Sequence, residues 1–271
     1  MRKVFWGSLA AITILLLLNQ GVVFSAQEKT KFYQVTYQVE NVTGQITING
    51  FVVTEMDGKN GTGTAVLNPW LIGENELKAE AKKADPSKPA SLTFGVSEMM
   101  RGDIVATTDK GKLFSLELKN KDFNAKGQAW AAKKFKSTLD FKEHLSQAGQ
   151  AKEADVLAYA QKLYALFVKK DAEGILREFE VKIRDYGKAF GGTDAEVKTE
   201  LRSYLTKELF KLKLNTLKSG ALRAVAVGPT KNIWHVMNGK DELITAKASD
   251  GSILQTEIYI GLLDGKLKVV R

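Results

Sequence analysis

The chain has 271 residues, no cysteine, and 40 lysines and arginines against 31 aspartates and glutamates, which gives a formal charge of +9. The absence of cysteine excludes disulfide bonds, thiolate metal sites, cysteine nucleophiles and a lipid attached through cysteine. With 44% hydrophobic residues and four prolines, a chain of this length is expected to form two globular domains, each with its own core.

The first 25 residues have the pattern of a secretory signal peptide. Arg2 and Lys3 form a basic head, an apolar run extends from Ala10 to Leu18, and small residues end the segment at Ser25. The apolar run is shorter than the roughly 20 residues that a membrane span requires. We therefore expect cleavage after Ser25 and a mature protein of charge +7, without its two basic leader residues, that folds in the periplasm or outside the cell. The lack of disulfide-forming residues favours a bacterial source.

Residues 26–141 have the pattern of an all-β sandwich domain. Period-two alternation occurs in Phe32–Val39 and Gln45–Val53, and turn-forming pairs such as Asp57-Gly58 and Asn60-Gly61 interrupt it. Several short strands at this spacing are typical of a sandwich. Further strands are predicted at 64–67, 76–82, 91–96, 112–118 and 128–135.

Residues 142–271 are predicted to form an α+β domain that begins with three helices. The first helix covers 152–170, with Val156 and Phe167 on its buried face, and the second follows Asp171. Thr193 with Glu196 three residues later is a capping box, which marks the start of the third helix.

The rest of this domain returns to strands. They are predicted at 221–227, 233–237, 242–248, 252–261 and 266–270. Turns such as Asn238-Gly239 and Asp264-Gly265 join them and are typical of antiparallel hairpins. The expected architecture is three helices packed on a curved antiparallel sheet.

The C-terminal half resembles the nuclear transport factor two-like superfamily, a cystatin-like cone of helices on a curved sheet. The segment Tyr164–Leu176 (YALFVKKDAEGIL) is similar to the lysine–aspartate junction between the first two helices of that fold. The segment Asp264–Arg271 (DGKLKVVR) is similar to its final hairpin and strand. The N-terminal half resembles immunoglobulin-like or galactose-binding-like sandwiches in the segment Leu67–Glu80 (LNPWLIGENELKAE), a Gly-x-Asn turn that leads into a strand.

The resemblance implies a cone that could hold a small ligand. The candidate lining residues are aromatic or titratable: Tyr164, Tyr186, Tyr204, Trp234, His235, Glu257 and Tyr259. Because a strand alternates, Trp234 and His235 point to opposite faces. If His235 faces the cone, it could accept a proton; if Trp234 does, His235 is exposed to solvent. The chain's other histidine, His144, is expected in a solvated linker.

A second candidate contact surface is basic and lies on the predicted strand 128–135 and its flanks. Its residues are Trp70, Lys126, Trp130, Lys133, Lys134 and Lys136. Export removes nucleic acid from reach, so anionic envelope components or an acidic protein are the partners to expect. A solvated strand face explains the same lysines.

No motif predicts a catalytic residue, a metal site or a cofactor. The leading hypothesis is therefore an exported, non-enzymatic binding protein of the bacterial cell envelope that engages a protein or anionic partner, for example as an immunity or inhibitor protein. One alternative is a small-molecule binder, or a weak hydrolase or isomerase, that uses the cone. Another is a sandwich that binds glycans through exposed Trp70 or Trp130.

Overall fold

The computed structural model describes residues 30–100, 111–218, 220–248 and 250–271. The predicted signal peptide, residues 1–25, lies outside this part of the chain. Contacts divide the described residues into two compact units, with the division between Phe141 and Lys142. No helix among the described residues is long and apolar enough to span a membrane.

The N-terminal unit, residues 30–141, consists of antiparallel strands in two four-stranded sheets. The strands are β1 (Lys31–Glu40), β2 (Val42–Ile48), β3 (Phe51–Asp57), β4 (Gly61–Val66), β5 (Ile72–Lys83), β6 (Ser91–Met100), β7 (Lys112–Leu118) and β8 (Gln128–Asp140). The first sheet has the order β4-β1-β6-β7, and the second has the order β3-β2-β5-β8. The sheets contact each other where the backbone N–H of Thr138 in β8 donates to the hydroxyl of Tyr33 in β1 at 3.0 Å.

Period-two alternation places one face of the second sheet in the interior of this unit. Ile48 in β2 and its register partner Leu77 in β5 are both fully buried. Burial of one such side chain stabilises the fold by about 1.5–3 kcal/mol. The two strands approach so closely that a Cβ at Gly44 would lie 2.0 Å from the carbonyl oxygen of Glu80. Only glycine fits at that position of β2.

Most predicted strands of this unit correspond to observed strands and differ mainly at their ends. The predicted segment Gln45–Val53 is an exception: Asn49 and Gly50 have positive φ and form a turn, so the segment contains the end of β2 and the start of β3. β5 begins at Ile72 rather than Glu76, and β8 ends at Asp140 rather than Phe135. The early start of β5 has a local cause, because the side chain of Asn75 accepts a hydrogen bond from the backbone N–H of Ile72 at 2.8 Å. This bond stabilises a register shift between Ile72 and Glu74 at the start of the strand, which period-two alternation does not reveal.

The C-terminal unit, residues 142–271, begins with five helices in the described chain. They are α1 (Lys142–Leu145), α2 (Glu153–Val168), α3 (Ala172–Glu178), α4 (Glu180–Phe190) and α5 (Asp194–Lys207). The predicted second helix is divided at Phe179, whose backbone leaves helical geometry (φ −92°, ψ 10°). The capping box forms as predicted: the N–H of Glu196 donates to the hydroxyl of Thr193 at 3.2 Å, and the N–H of Thr193 donates to Glu196 at 2.8 Å.

The strands of the C-terminal unit form two antiparallel sheets rather than one. The strands are β9 (Lys213–Leu214), β10 (Leu222–Val227), β11 (Ile233–Asn238), β12 (Asp241–Glu242), β13 (Ile244–Lys247), β14 (Ile253–Thr256), β15 (Ile258–Leu263) and β16 (Lys266–Val269). The larger sheet has the order β10-β11-β15-β16, with β12 also paired to β11, and the smaller has the order β14-β13-β9. The predicted single strand 252–261 is thus two strands in different sheets, separated at Glu257. The mixed α+β class is confirmed.

The two faces of the larger sheet have different surroundings. Val236, Ile258 and Ile260 are buried in the core that the helices form, and Trp234 packs against the same core. Since successive strand residues alternate in direction, the residues between them point to the other face. That face contains the polar side chains described next.

Candidate functional site

Six polar side chains of the C-terminal unit form a continuous set of contacts, which we call the polar cluster. Its members are Lys182, Tyr186, His235, Glu242, Glu257 and Tyr259. All except Tyr259 keep partial access to solvent. Protein atoms nevertheless surround the cluster closely enough for burial to shift the pKa of several members. This combination is typical of groups that line a depression in a protein surface.

Strand register places His235 against Tyr259. The two residues are direct partners between β11 and β15, so their side chains share one face of the sheet. Their rings are stacked, with centroids 4.5 Å apart and an angle of 14° between the planes. Trp234 points to the helical core, yet His235 is not free in solvent, since only 17% of its side chain is exposed. Neither of the two orientations expected from the sequence describes this histidine.

Glu242 fixes the tautomer of His235. It follows the turn after β11, and its Oε2 lies 2.8 Å from Nε2 of His235. An ionised carboxylate only accepts, so Nε2 carries the hydrogen, and in the neutral ring Nδ1 is left as an acceptor. Burial lowers the pKa of His235, but the hydrogen bond to Glu242 and the charges of Glu242 and Glu257 raise it more, so the net shift is upward from 6.5.

Glu257 occupies the break between β14 and β15. Its Oε2 accepts a hydrogen bond from the hydroxyl of Tyr259 at 3.4 Å. Burial raises the pKa of Glu257, and the nearby charge of Glu242 raises it further, whereas His235 and Lys182 oppose this shift. Glu257 is therefore a carboxyl group that binds its proton more tightly than an exposed glutamate does.

Lys182 brings an amine to the cluster from α4. Its Nζ lies 5.3 Å from the ring centroid of Phe179 and 5.5 Å from that of Tyr186. Its hydrogen bond to the main-chain oxygen of Glu257 is long, at 3.4 Å. Burial lowers the pKa of Lys182 to about 8, although the charge of Glu257 acts in the opposite direction.

A more deeply buried ionic group lies beside the polar cluster on the same helix. Asp185 accepts hydrogen bonds from Nδ1 of His144 at 2.9 Å and from Nη1 of Arg271 at 2.5 Å. Nη2 of Arg184 lies 3.0 Å from Nε2 of His144, so both ring nitrogens have a polar neighbour. Burial raises the pKa of Asp185, but His144 and Arg271 together lower it more, so the net shift is downward from 3.8.

The prediction that His144 lies in a solvated linker was wrong. It belongs to the short helix α1 and is 8% exposed. The sequence around it gave no sign of burial because its partners, Asp185 and Arg184, lie about 40 residues away along the chain. Only the folded unit brings them together.

The structure gathers four of the seven residues that were predicted to line a cone. Tyr186, His235, Glu257 and Tyr259 belong to the polar cluster, whereas Tyr164 does not: its hydroxyl donates to the main-chain oxygen of Asn215 at 2.7 Å. The two remaining residues, Tyr204 and Trp234, pack against the helical core.

Sequence reasoning missed Lys182 and Glu242. Lys182 was missed because a lysine in an amphipathic helix is ordinarily solvated, and only its spacing from Tyr186, one helical turn, was available as a signal. Glu242 was missed although it follows an Asn-Gly turn. A hairpin through Asn238-Gly239 brings it back to the strand that contains His235, and that turn had been identified.

The lysines of the predicted basic surface do not all lie on one face of β8. Lys134 and Lys136 point outward with Trp130, but their register partners on β5 are Glu76 and Glu74. Nζ of Lys136 lies 3.3 Å from Oε1 of Glu74, and both side chains are more than 80% exposed. The outward lysines therefore face an equal number of glutamates.

The remaining members of that surface lie elsewhere. Lys133 lies in register with the buried residue Leu77 and so belongs to the inner face of the sheet, at its edge. Lys126 is exposed in the loop before β8. Trp70 is not a surface residue: it is 6% exposed, and its ring centroid lies 4.9 Å from that of Phe51. Trp130 is 70% exposed.

Comparison with protein-family models, curated proteins and solved structures returns no match for this chain. The resemblance of the C-terminal half to the nuclear transport factor two-like superfamily therefore stays a prediction. The residues of the described chain contain no group of three or more histidines and carboxylates that could hold a metal ion. The polar cluster offers hydrogen-bonding groups, carboxyl groups that exchange protons and the amine of Lys182.

Proposed function

We propose that this chain is an exported, non-enzymatic binding protein whose C-terminal domain binds a small molecule at the polar cluster. In this proposal the N-terminal unit is a β-sandwich domain, and the C-terminal unit has the nuclear transport factor two-like fold. The ligand carries a hydrogen-bond donor for His235 and an acceptor for Tyr186.

The observation that carries the proposal is hydrogen-bonding capacity that the protein itself leaves unused. Within the described residues, Nδ1 of His235 and the hydroxyl of Tyr186 have no hydrogen-bond partner, although Glu242 holds His235 in one orientation. Most polar side-chain atoms that proteins enclose are hydrogen-bonded, and unused donors and acceptors in a shielded place suit a ligand. The stacked ring of Tyr259 adds a flat apolar surface beside them.

The proposal can be tested by screening a library of small hydrogen-bonding compounds by ligand-observed NMR at pH 7 and then measuring affinities by calorimetry. Y186F removes the unbonded hydroxyl at the cluster, and Y164F is its matched control, because the Tyr164 hydroxyl is already bonded to the main chain. We expect Y186F and H235A each to weaken binding about tenfold, the effect of one lost hydrogen bond.

Y164F should bind as the wild type does. Equal affinity in H235A, Y186F and the wild type would show that the ligand sits elsewhere and would overturn the proposal. Failure to find any ligand in a broad library would also count against it.

Export is supported by the leader pattern alone and has its own test. The protein expressed with its full leader in a Gram-negative bacterium should be recovered from the periplasm or the medium with Ala26 as its first residue. Intact Met1 on protein retained in the cytoplasm would contradict this part of the proposal.

A second candidate function is glycan binding at Trp130. Its indole is 70% exposed on the outer face of the second sheet, where its register partner is Glu80. An exposed aromatic face beside hydrogen-bonding side chains suits the apolar face of a sugar ring. The balance of lysines and glutamates on this face favours a neutral glycan over an anionic partner. W130A should abolish retention on immobilised glycans, and retention equal to that of the wild type would rule this function out.

A further inference from the structure

We propose that Lys182 forms a reversible imine with a carbonyl compound, so that the ligand of the polar cluster is an aldehyde or ketone. This inference rests on the proposed function, because it names the ligand class for the same cluster. Unlike a surface lysine, Lys182 has its amine next to two aromatic rings.

Lys182 is partly accessible to solvent, and two aromatic rings cover part of its amine. Its side chain keeps partial contact with solvent, whereas the rings of Phe179 and Tyr186 lie within 5.5 Å of its Nζ. Its hydrogen bond to the main-chain oxygen of Glu257 is long, at 3.4 Å, and no other acceptor among the described residues binds the amine. A lysine must lose a proton before it can attack a carbonyl carbon, and apolar surroundings favour that loss.

The charges around Lys182 act in opposite directions. Burial has the largest effect and lowers the pKa of Lys182; Glu257 and Glu242 raise it, Arg271 lowers it, and the net value is about 8. At pH 7 about a tenth of such amines are unprotonated, against less than one in a thousand for an ordinary lysine. The rings stabilise the ammonium form to some extent, which reduces this advantage without removing it.

Glu257 supplies the proton transfer that imine formation needs. The unprotonated amine attacks the carbonyl carbon, a C–N bond forms, and the carbonyl π bond breaks onto oxygen. The nitrogen then loses one proton and the oxygen takes one, which gives a neutral carbinolamine. A second proton, from the Glu257 carboxyl, goes to that oxygen, water leaves, and the nitrogen lone pair forms the C=N bond of a protonated imine. Glu257 can serve as this donor, and take the proton back on hydrolysis, because its pKa is raised and its side chain interacts electrostatically with Lys182.

The test uses the intact protein with benzaldehyde and sodium cyanoborohydride, which reduces the imine to a stable secondary amine. Peptide mass spectrometry then gives the labelling rate at each lysine. Lys162, exposed on α2 of the same unit, is the internal reference. At pH 7 we expect labelling at Lys182 to be at least about tenfold faster than at Lys162, and the ratio should fall as the pH rises further above the pKa of Lys182.

The ratio of labelling rates at Lys182 and Lys162 is measured on the wild-type protein, so the result does not depend on whether a variant folds. E257Q removes the proton donor but also a charge that raises the pKa of Lys182, so the two proteins are compared at pH values that give the same fraction of unprotonated Lys182. Under that condition E257Q should slow labelling at Lys182 severalfold, and it should leave labelling at Lys162 unchanged. Equal rates at the two lysines at pH 7 would overturn the imine site even if a reversible ligand binds at His235. Fast labelling at Lys182 in H235A would support the imine site even if reversible binding fails, so the two proposals fail separately.

Discussion

Replacing Asp185 by asparagine should strongly destabilise the C-terminal unit. The side chain of Asp185 is 4% exposed and that of its partner Arg271 is 0% exposed. D185N leaves the guanidinium of Arg271 buried without its counter-charge, and removal of one member of a buried ion pair costs about 3–5 kcal/mol. For a unit of this size, that loss corresponds to a fall in Tm of about 10–20 °C.

The assay is urea denaturation followed by circular dichroism, with D185N, R271M and the double variant D185N/R271M. The double variant should recover part of the loss, because it removes both charges of the pair rather than one. E173Q is the matched control, since Glu173 also binds an arginine, Arg202, through two hydrogen bonds, but both side chains are over 40% exposed. It should cost far less than D185N, because solvent screens an exposed pair.

The pH dependence of D185N has a definite sign. The folded-state pKa of Asp185 lies below 3.8, so its ion pair contributes fully above pH 3.8, and the contribution is lost as the pH falls through the folded value. D185N should lack this part of the acid sensitivity. A loss below 1 kcal/mol for D185N at pH 7, equal to that of E173Q, would refute the view that this carboxylate neutralises a buried charge.

Three further predictions follow from single contacts. E242Q should lower the pKa of His235, measured by NMR titration of the ring, and an unchanged titration would contradict this. In the wild type, the stabilisation by His235 is complete below pH 6.5 and is lost as the pH rises through the raised pKa of the folded state. T193A should cost about 1 kcal/mol in thermal denaturation through loss of the α5 cap, and a stability equal to that of the wild type would argue against the cap. W70A should cost about 3–5 kcal/mol in urea, whereas W130A should change stability by less than about 0.5 kcal/mol; similar losses for both would show that Trp130 is packed.

The elements of the fold could be predicted where the signal is local. The capping box of Thr193 and Glu196 marks the start of α5, and the period-two segment 112–118 coincides with β7. Such features depend on residues within a few positions of one another. The division of the segment 252–261 into two strands could not be predicted, because it depends on which neighbouring strand pairs with each half.

The candidate site was predictable only in part for the same reason. Aromatic and titratable residues on the final strands suggested His235, Glu257 and Tyr259 without showing their contacts. Glu242 was overlooked, although its hairpin with β11 was foreseeable from the Asn-Gly turn. Lys182 reaches the cluster from a helix more than 50 residues earlier in the chain, and nothing in the surrounding sequence distinguishes it from a solvated lysine.

The sequence by itself determined the mixed α+β class, the antiparallel hairpins, the helix caps and the absence of thiol chemistry, since each depends on composition or on neighbouring residues. Tertiary structure alone decided which polar groups meet. It placed Trp70 in the interior and Trp130 outside, paired the outward lysines of β8 with glutamates of β5, and buried His144 against Asp185. These outcomes depend on strand register and on packing between distant segments, and both the charge of a site and the pKa of its groups follow from them.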